Sequence, residues 1–291
     1  MNYFQHITQS KNFKTYVVIL FFMVSGLTWL GIKIYANYYL STDNAYVNAN
    51  VVQIASRITG EVNAVAIINN QYVKQGALLF EIDPKPFQLA VNSAQAELDV
   101  AATELENAHV TEKRIVNLVR NKYLPPQDKD NTIARFKIAL SKVEEAKANL
   151  AQNKLLLTYT KIVAPTTGWL ANVSLRTGDI VLANQPLFAL ISDEEYWVDA
   201  NFKETELAKI KRGQVATITV DMYPDHSFQG VVESISGGTG TVFSLLPPQN
   251  ATGNWVKVTQ RVPVRIRFLN PDPNFPLRIG TTASVTISLN K

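Results

Sequence analysis

Three histidines are the first candidates for catalysis or metal binding in this sequence, and they lie in separate segments, at His6, His109 and His226. A zinc site in a protein needs three or four ligands that converge on one ion. Asp221 and Asp225 precede His226, but Asp is typical of a connection between two strands, so we interpret this group as a solvated turn. The sequence therefore predicts no metal site and no cofactor.

The common enzyme motifs are absent from the sequence. The 291-residue chain contains no Cys, which excludes disulfides, Cys-ligated zinc and a thiol nucleophile. It also contains no GxSxG, P-loop or HExxH pattern. Glu204 and Glu206 fit a solvated helix face better than an acid–base pair, and we do not expect the sequon at Asn250 to carry a glycan. We therefore predict that the protein is not an enzyme.

Composition indicates a folded and mildly basic protein. Hydrophobic residues make up 46% of the chain, which is enough to build the cores of two or three small domains. The net charge of +4 is spread along the chain, whereas a nucleic-acid-binding protein usually has a dense Lys/Arg face. We therefore do not expect nucleic acid as a partner.

Residues 15–36 predict one transmembrane helix. Residues 15–32 contain no charged side chain, and about 20 apolar residues at a rise of about 1.5 Å span a bilayer core. Lys11 and Lys14 precede this segment, and no Lys or Arg follows between residues 34 and 56. The positive-inside rule then places residues 1–14 in the cytoplasm and the bulk of the chain outside it. The alternative, a cleaved signal peptide, would have a shorter apolar core and a small-x-small cleavage site.

Two segments of the chain repeat one another without gaps. Residues 58–82 align with residues 166–190 at one constant offset, and their apolar positions have the spacing of short strands. Each copy is too small to bury a core alone, so we predict that the two halves pack together as one β-sandwich. The matched pairs are Gly60/Gly168, Val62/Leu170, Val65/Val173, Ile67/Leu175, Val73/Val181, Leu79/Leu187, Phe80/Phe188 and Ile82/Leu190.

The segment between the halves predicts two helices joined by a turn. Residues 87–122 contain neither Gly nor Pro, and Pro125 and Pro126 then end the first helix. Heptad spacing predicts an antiparallel coiled coil with arms of about 45–55 Å. The predicted seam contains Ala94, Leu98, Ala101, Leu105, Ala108 and Ile115 in the first helix, and Ile133, Phe136, Leu140, Val143, Lys147, Leu150, Lys154 and Leu157 in the second.

Residues 193–291 return to the alternation that is typical of strands. Several short strands and one short helix, which ends at Gly213, predict a small β-barrel. The strand candidates are residues 215–222, 228–236, 255–268 and 283–289, and the helix candidate is residues 203–213.

Together these patterns predict an elongated fold of mixed α and β class. It consists of an N-terminal transmembrane helix, a split β-sandwich with an inserted α-helical coiled-coil hairpin, and a C-terminal β-barrel. The predicted divisions are a cytoplasmic tail (1–14), a transmembrane anchor (15–36), a linker with a barrel entry strand (37–56), the first sandwich half (57–86), the hairpin (87–157), the second sandwich half (158–192) and the barrel (193–291).

This arrangement resembles the HlyD/EmrA-type membrane fusion proteins over essentially the whole chain. Residues 42–62 resemble the family's entry into the first half-motif, residues 160–170 its return strand, and residues 196–214 the first part of its barrel. The segment GTGTVFSLLPPQNATGNWVKVTQRVPVRI (238–266) is the most specific and is close to the EmrA branch. The split sandwich also resembles a biotinyl or lipoyl carrier domain.

The resemblance implies a periplasmic adaptor for multidrug efflux. Such an adaptor links an inner-membrane exporter, usually of the major-facilitator type in the EmrA branch, to a TolC-like outer-membrane channel. It implies a homo-oligomeric ring, trimeric or hexameric, held in the bacterial inner membrane by one helix per chain, with the bulk of each chain in the periplasm. Energy then comes from the exporter, because this sequence has no ATP-binding motif.

The resemblance also implies two interaction sites. In relatives that dock a channel, the hairpin tip carries an Arg, a Leu four residues on and a Ser seven beyond that. Arg114 and Leu118 match this pattern, but Pro125 stands at the third position, and Leu124 precedes it, so these four residues are the candidate channel-docking residues. The second site is the loop 238–255, whose apolar side chains are candidates for a pump or subunit interface: Val242, Phe243, Leu245, Leu246 and Trp255.

Three other functions fit parts of the sequence. A type I protein-secretion adaptor with an ATP-binding-cassette partner generally has a longer hairpin, and the match at residues 238–266 argues against it. A biotinyl or lipoyl carrier subunit needs a lysine in the turn between the two halves. Here the hairpin replaces that turn, and Lys85 lies between Pro84 and Pro86. A tethered scaffold or sensor that exports nothing is the third alternative.

Overall fold

The structure, a computed structural model, describes residues 18–26, 28, 38–239 and 257–289. The chain divides into two compact units, which we call the barrel unit (Met1–Asn50 and Glu195–Lys291) and the sandwich unit (Val51–Glu194). Residues 18–26 and 28 are helical. Across the described ranges, no helix combines the length and the apolar character that crossing a membrane requires.

The sandwich unit is built from short strands. One sheet has the order β5-β4-β2-β7, and β3-β6-β8 form the second layer. The strands are β1 (Tyr39–Ala55), which enters the unit from the barrel, β2 (Gly60–Val65), β3 (Tyr72–Val73), β4 (Leu78–Ile82), β5 (Lys161–Val163), β6 (Gly168–Ala171), β7 (Ile180–Val181) and β8 (Pro186–Lys203).

The two repeat halves exchange strands with each other. The starts of β3 and β7 are separated by the same offset as the repeat in the sequence, and so are the starts of β4 and β8. Val73 of the first half pairs with Gly168 of the second, and Val181 of the second pairs with Gly60 of the first. Each half therefore completes the sheet of the other, and the predicted closure of the two halves into one β-unit is confirmed.

Left-handed backbone conformations recur at equivalent positions of the two halves. Asn70 (φ 61°) is equivalent to Gly178 (φ 91°), and Gly76 (φ 81°) is equivalent to Asn184 (φ 63°). Gly has no Cβ penalty at positive φ, and Asn is one of the few other residues that adopt this region readily. The turns of the two halves thus have the same geometry, although Gly and Asn have changed places between them.

An apolar core lies between the two halves. Phe80 and Phe188, which are equivalent in the repeat, meet edge to face with ring centroids 6.1 Å apart. The base of the hairpin extends this core, since Phe87, Leu156 and Tyr159 pack against it. The buried members are Ile54, Ile58, Val62, Ile67, Val73, Leu79, Phe80, Ile82, Ala164, Leu170, Val181, Phe188 and Leu190.

Two long helices connect the halves. Helix α1 (Lys85–Arg120) and helix α2 (Pro126–Thr158) are about 50 Å long at the rise of an α-helix. They pack as an antiparallel pair. Polar contacts flank the seam, because Lys142 Nζ lies 3.0 Å from Glu104 Oε2, and Asn149 Nδ2 donates to Glu97 Oε2 at 3.1 Å.

The seam of α2 differs from the prediction by one residue at three positions. Leu140 is 43% exposed, and Ala139 is buried in its place. Lys147 and Lys154 are exposed, whereas Ala146 and Asn153 are half-buried. Small side chains at these positions let the helices approach closely, and the lysine ammonium groups stay in water.

The barrel unit contains a closed ring of six strands. The strand order is β1-β12-β9-β10-β11-β8, and β1 also pairs with β8. Thr42 Oγ1 of β1 donates to the carbonyl of Asn201 of β8 at 3.0 Å, and Asn48 Nδ2 donates to Asp199 of β8. The remaining strands are β9 (Val215–Val220), β10 (Ser227–Ile235), β11 (Arg261–Phe268) and β12 (Thr282–Ser288).

Two details of the barrel differ from the prediction. The segment predicted as a short helix over 203–213 forms only a 3-10 turn, Leu207–Lys209, although Gly213 does adopt a positive φ of 89°. Within the predicted strand 255–268, residues 257–260 are irregular, and β11 begins at Arg261. Elsewhere the alternation holds, since Val262, Val264, Ile266 and Phe268 are all buried.

Replacing Gly168 by Ala should destabilise the sandwich unit strongly. A Cβ at this position would lie 1.9 Å from the carbonyl oxygen of Ile191, which is backbone and cannot move without disrupting the β6–β8 pairing. We expect Gly168→Ala to lower the free energy of unfolding by about 3 kcal/mol, measured by denaturant titration. The control is Gly237→Ala, where nothing lies within 4 Å of the added Cβ. Equal stability of the two variants would contradict this account of the packing.

Candidate functional site

The turn between the two hairpin helices is a Schellman motif. The backbone N–H of Tyr123 donates to the carbonyl of Leu118 at 2.9 Å, and the N–H of Lys122 donates to the carbonyl of Val119 at 3.0 Å. Lys122 adopts a left-handed φ of 61°, a position usually occupied by Gly. Pro125 then caps α2 with an extended backbone. The hydrogen bonds of this turn fix the path of the backbone at the tip.

The structure places the four candidate docking residues around this turn. Arg114 and Leu118 lie one helical turn apart on α1; Arg114 is exposed and Leu118 is half-buried. Leu124 is half-buried and Pro125 is exposed. The four residues thus share one end of the hairpin, and their role in docking stays a prediction.

The most exposed of the large hydrophobic side chains at the tip is Tyr123, which was not among the residues predicted from the sequence. Tyr123 is 76% exposed, although tyrosine usually buries much of its ring. A rigid aromatic side chain with a polar end is the type of residue that dominates binding energy at interfaces. No local signal in the sequence marks the exposure of Tyr123, because the left-handed conformation of Lys122, which precedes it, is known only from the structure.

The charge near the tip is net positive. Residues 112–130 contain five Lys or Arg residues and three Asp or Glu residues. Arg114, Arg120 and Lys122 are exposed. Such a surface favours a partner whose contact face is neutral or acidic.

The apolar loop predicted as a second site falls outside the described residues. This applies to Val242, Phe243, Leu245, Leu246 and Trp255, and also to Asn250.

The strands on either side of this loop show where it connects to the barrel. The start of β1 at Tyr39 pairs with Ser288 at the end of β12. Strand β9 is antiparallel to β12 and begins at Val215, so its first residue lies at the same barrel end. By the same alternation, β10 ends there at Ile235 and β11 begins there at Arg261. The β10–β11 connection therefore joins the barrel at the end where the N-terminal segment enters it.

The histidines described in the structure have packing roles. His109 of α1 lies against Phe136 of α2, with ring centroids 5.3 Å apart. His226 stacks on Phe275 at 4.0 Å and meets the edge of Phe228. His6 is outside the described residues. Within the described part of the chain, no three His, Cys, Asp or Glu residues are grouped so that they could hold a metal ion.

The other polar candidates are also engaged in local structure. Asp221 Oδ2 accepts a hydrogen bond from Thr282 Oγ1 at 2.6 Å, and the carboxylate of Glu206 accepts one from the backbone of Lys203. Lys85 is the first residue of α1, and its backbone N–H donates to Asp83 Oδ1. These contacts belong to turns and a helix start. For Asp221 this agrees with the turn predicted from the sequence, whereas α1 begins at Lys85, two residues before the predicted start of the hairpin.

Tyr72 has a perturbed pKa for a structural reason. Its hydroxyl donates a hydrogen bond to Asp193 Oδ2 at 3.0 Å, and this bond raises the pKa of Tyr72 above its usual value. Its ring meets that of Trp169 edge to face at 5.1 Å. The neutral form of the phenol is the form that donates, so the contact is complete at neutral pH and links β3 to the end of the second half.

Comparison with known proteins identifies the family. Residues 50–193 match the family described as RND MFP, barrel-sandwich hybrid domain, and residues 195–288 match the family described as AAEA-like beta-barrel domain. The chain is 32% identical to the multidrug export protein EmrA of Escherichia coli, with 90% of this chain and 79% of that protein covered. It is 29% identical to the colistin resistance protein EmrA of Acinetobacter baumannii, with 94% and 92% covered.

Solved structures show the same fold. The periplasmic adaptor protein EmrA matches with a TM-score of 0.50 and 20% identity, over 86% of this chain and 98% of that chain. MacA from Actinobacillus actinomycetemcomitans matches with a TM-score of 0.63 and 20% identity, over 86% and 79%. The resemblance found in the sequence is confirmed, and the chain belongs to the EmrA-like membrane fusion proteins.

Proposed function

We propose that this protein is the periplasmic adaptor of a multidrug exporter and that it links an inner-membrane transporter to an outer-membrane channel. The observation that carries the proposal is the hairpin, whose two helices of about 50 Å leave from and return to a sandwich closed by both repeat halves. Relatives that share both parts of the chain are multidrug export proteins by name. The work of the chain is then mechanical, and it needs no catalytic site.

The proposal includes an anchor in the inner membrane. Residues 18–26 are helical, and their apolar side chains are exposed, among them Phe21 at 70% and Phe22 at 69%. Such a surface is stable in lipid and costly in water. Residues 1–14 lie in the cytoplasm, and residues 37–291 lie in the periplasm, with the domain division predicted above.

The proposed partner at the inner membrane is a major-facilitator exporter. The β10–β11 connection joins the barrel at the end where the anchor segment enters, so an exporter in the same membrane is within reach of that end. The candidate contacts are Val242, Phe243, Leu245, Leu246 and Trp255. Specificity for the exported compound resides in the exporter.

The proposed partner at the other end is a TolC-like channel, contacted by the hairpin tips of a trimeric or hexameric ring. Arg114, Leu118, Leu124 and Pro125 form the candidate contact, together with Tyr123. The rigid Schellman turn and the net positive charge support docking to a matching helical tip.

Changing the tip should abolish drug resistance without affecting assembly at the inner membrane. The double variant Arg114→Asp, Leu118→Asp introduces two carboxylates at positions where the proposed channel contact uses a cation and an apolar side chain. We expect the minimum inhibitory concentration of an exported drug to fall to that of a deletion strain, while expression and co-purification with the exporter are unchanged. Unchanged resistance would show that the tip does not dock as proposed.

One control and one further test accompany this experiment. Asn92→Asp with Ala96→Asp adds the same two carboxylates at exposed α1 positions with the same four-residue spacing, and it should leave resistance intact. Because Leu118 is half-buried, Tyr123→Ala is a second test that does not disturb the helix seam. We expect it to weaken channel binding about tenfold, the usual effect of removing an aromatic interface residue.

Removing residues 1–36 should release the protein from the membrane. When exported behind a cleavable signal peptide, the truncated chain should fractionate with soluble periplasmic proteins, and the full chain should stay with membranes after a carbonate wash. Release of the full chain from the membranes by the carbonate wash would contradict the proposed transmembrane anchor. Circular dichroism of the truncated chain checks that both units are folded.

A further inference from the structure

The connection from β8 to β9 carries a cluster of positive charge. Residues 203–215 contain four Lys or Arg residues and two Glu residues, and both Glu residues precede the 3-10 turn. The three cations that follow, Lys209, Lys211 and Arg212, are all exposed. Among the residues that the structure describes, none of the three forms an ion pair. We call these three residues the basic cluster.

The backbone of the basic cluster is fixed by local contacts. Ile210 lies between two of the cations in the sequence and is buried. The side-chain amide of Gln214 binds the backbone on both sides of Ile210. Its Oε1 accepts a hydrogen bond from the N–H of Lys211 at 2.8 Å, and its Nε2 donates to the carbonyl of Lys209 at 3.3 Å. Gly213 then turns the chain with a φ of 89°. The cations therefore belong to an ordered loop, and their binding to a partner orders little further backbone.

The basic cluster lies at the barrel end where the N-terminal segment enters. Strand β1 starts at this end with Tyr39, and β9 starts there with Val215. The anchor predicted over residues 15–36 ends two residues before Tyr38, so this end of the barrel is next to the membrane in the proposed topology. Tyr38 is 46% exposed, and tyrosine is enriched where a protein meets the membrane–water interface.

The other charged residues at this barrel end largely balance one another. Lys203 and Arg261 are opposite each other in the β8–β11 ladder, and they share a polar notch with Asp43 and Glu206. The remaining charged residues described at this end are Glu204, Glu233 and Lys257. This end of the barrel is therefore net positive, and the basic cluster supplies the excess charge.

The opposite end of the barrel has the opposite charge. The β9–β10 and β11–β12 connections there contain three Asp residues and one Arg residue, which are Asp221, Asp225, Asp272 and Arg278. A charge distribution of this kind orients a domain at a negatively charged surface, because only the basic end is attracted to it.

We infer that the basic cluster binds the headgroups of anionic phospholipids and so holds this end of the barrel against the surface of the inner membrane. Lys is depleted at protein–protein interfaces, whereas Lys and Arg clustered beside a membrane anchor are attracted to anionic lipid. Two of the three cations are Lys. The inference rests on the proposed function only for the anchor, to which it adds a second attachment. With two attachments the barrel has a defined orientation on the membrane.

Lipid composition tests this contact in the full chain. The chain contains no Cys, so Ala208→Cys carries a single fluorescent donor beside the basic cluster, and Ser227→Cys carries one at the opposite barrel end. Each labelled chain is reconstituted alone into nanodiscs with a headgroup-linked acceptor, made of phosphatidylcholine with or without phosphatidylglycerol. We expect phosphatidylglycerol to raise energy transfer from position 208 by about twofold or more, and about 0.5 M salt to reverse this rise. Transfer from position 227 should not rise.

Equal energy transfer from position 208 in the two lipid compositions would overturn the inference. The same holds if the rise does not respond to salt, because an electrostatic contact at an exposed surface is screened by ions.

Charge reversal tests the basic cluster itself. The triple variant Lys209→Glu, Lys211→Glu, Arg212→Glu should lower the fraction in contact with phosphatidylglycerol by about a hundredfold or more, since each Lys or Arg near an anionic surface contributes roughly a factor of five. In nanodiscs that contain a cationic lipid instead, the triple variant should regain the contact. This recovery also shows that the loop is folded. An unchanged response of the triple variant to phosphatidylglycerol would contradict the assignment to these residues.

The matched control makes the same change in net charge on α2. Arg135, Lys137 and Lys154 are exposed there, and replacing all three by Glu should leave the response to phosphatidylglycerol intact. Loss of the response in this control would show that net charge, and not the basic cluster, determines it, and would overturn the inference.

Failure of the lipid contact is distinguishable from failure of the proposed function. A chain that stays in the nanodiscs without responding to phosphatidylglycerol keeps its anchor, and the contact is wrong. A chain that washes off phosphatidylcholine but is retained by phosphatidylglycerol through the basic cluster has the contact and lacks the anchor. If position 208 approaches the headgroups only after the exporter is added, the basic cluster binds that protein and the inference is overturned. If the unmodified chain confers no drug resistance and still responds to phosphatidylglycerol, the contact stands without the efflux role.

Discussion

The fold depends on pairing between residues that lie far apart in the chain. Val73 must reach Gly168, and Val181 must reach Gly60, before either half has a complete sheet. Closing a flexible loop costs entropy that rises only slowly, by about 0.6 kcal/mol for each doubling of its length. The intervening segment is not a flexible loop, however, because α1 and α2 pair antiparallel and return the chain to its starting point. The hairpin thus brings together the ends that the sandwich must join, and the two parts are coupled in folding.

Much of this architecture could be predicted from the sequence because it is encoded in periodicity. The repeat offset, the core positions such as Phe80 and Phe188, and the seam of α1 all follow from where apolar residues recur. The seam of α2 was displaced by one residue because Leu140 is apolar and was placed in it. In the structure Ala139 is buried there, since a short side chain allows closer packing than a branched one. The pattern of apolar residues alone does not show whether Ala139 or Leu140 lies in the seam.

The candidate sites were only partly predictable, for a different reason. Arg114 and Leu118 were found through a family motif, whereas Tyr123 stands out only when its exposure is known. A tyrosine in a sequence is often partly buried, and nothing in the local pattern says that Tyr123 points to solvent.

The separation of hairpin and sandwich has a consequence for how such a rod changes in evolution. Inserting seven residues into each helix adds two turns, lengthens the arm by about 10 Å and keeps the apical loop facing almost the same way. Inserting a single residue into each would rotate the apex by about 100° relative to the base and break the alignment of Ala94 and Leu150 with their neighbours. The length of the hairpin can therefore change in steps of one heptad, while the β-sandwich at its base remains unchanged.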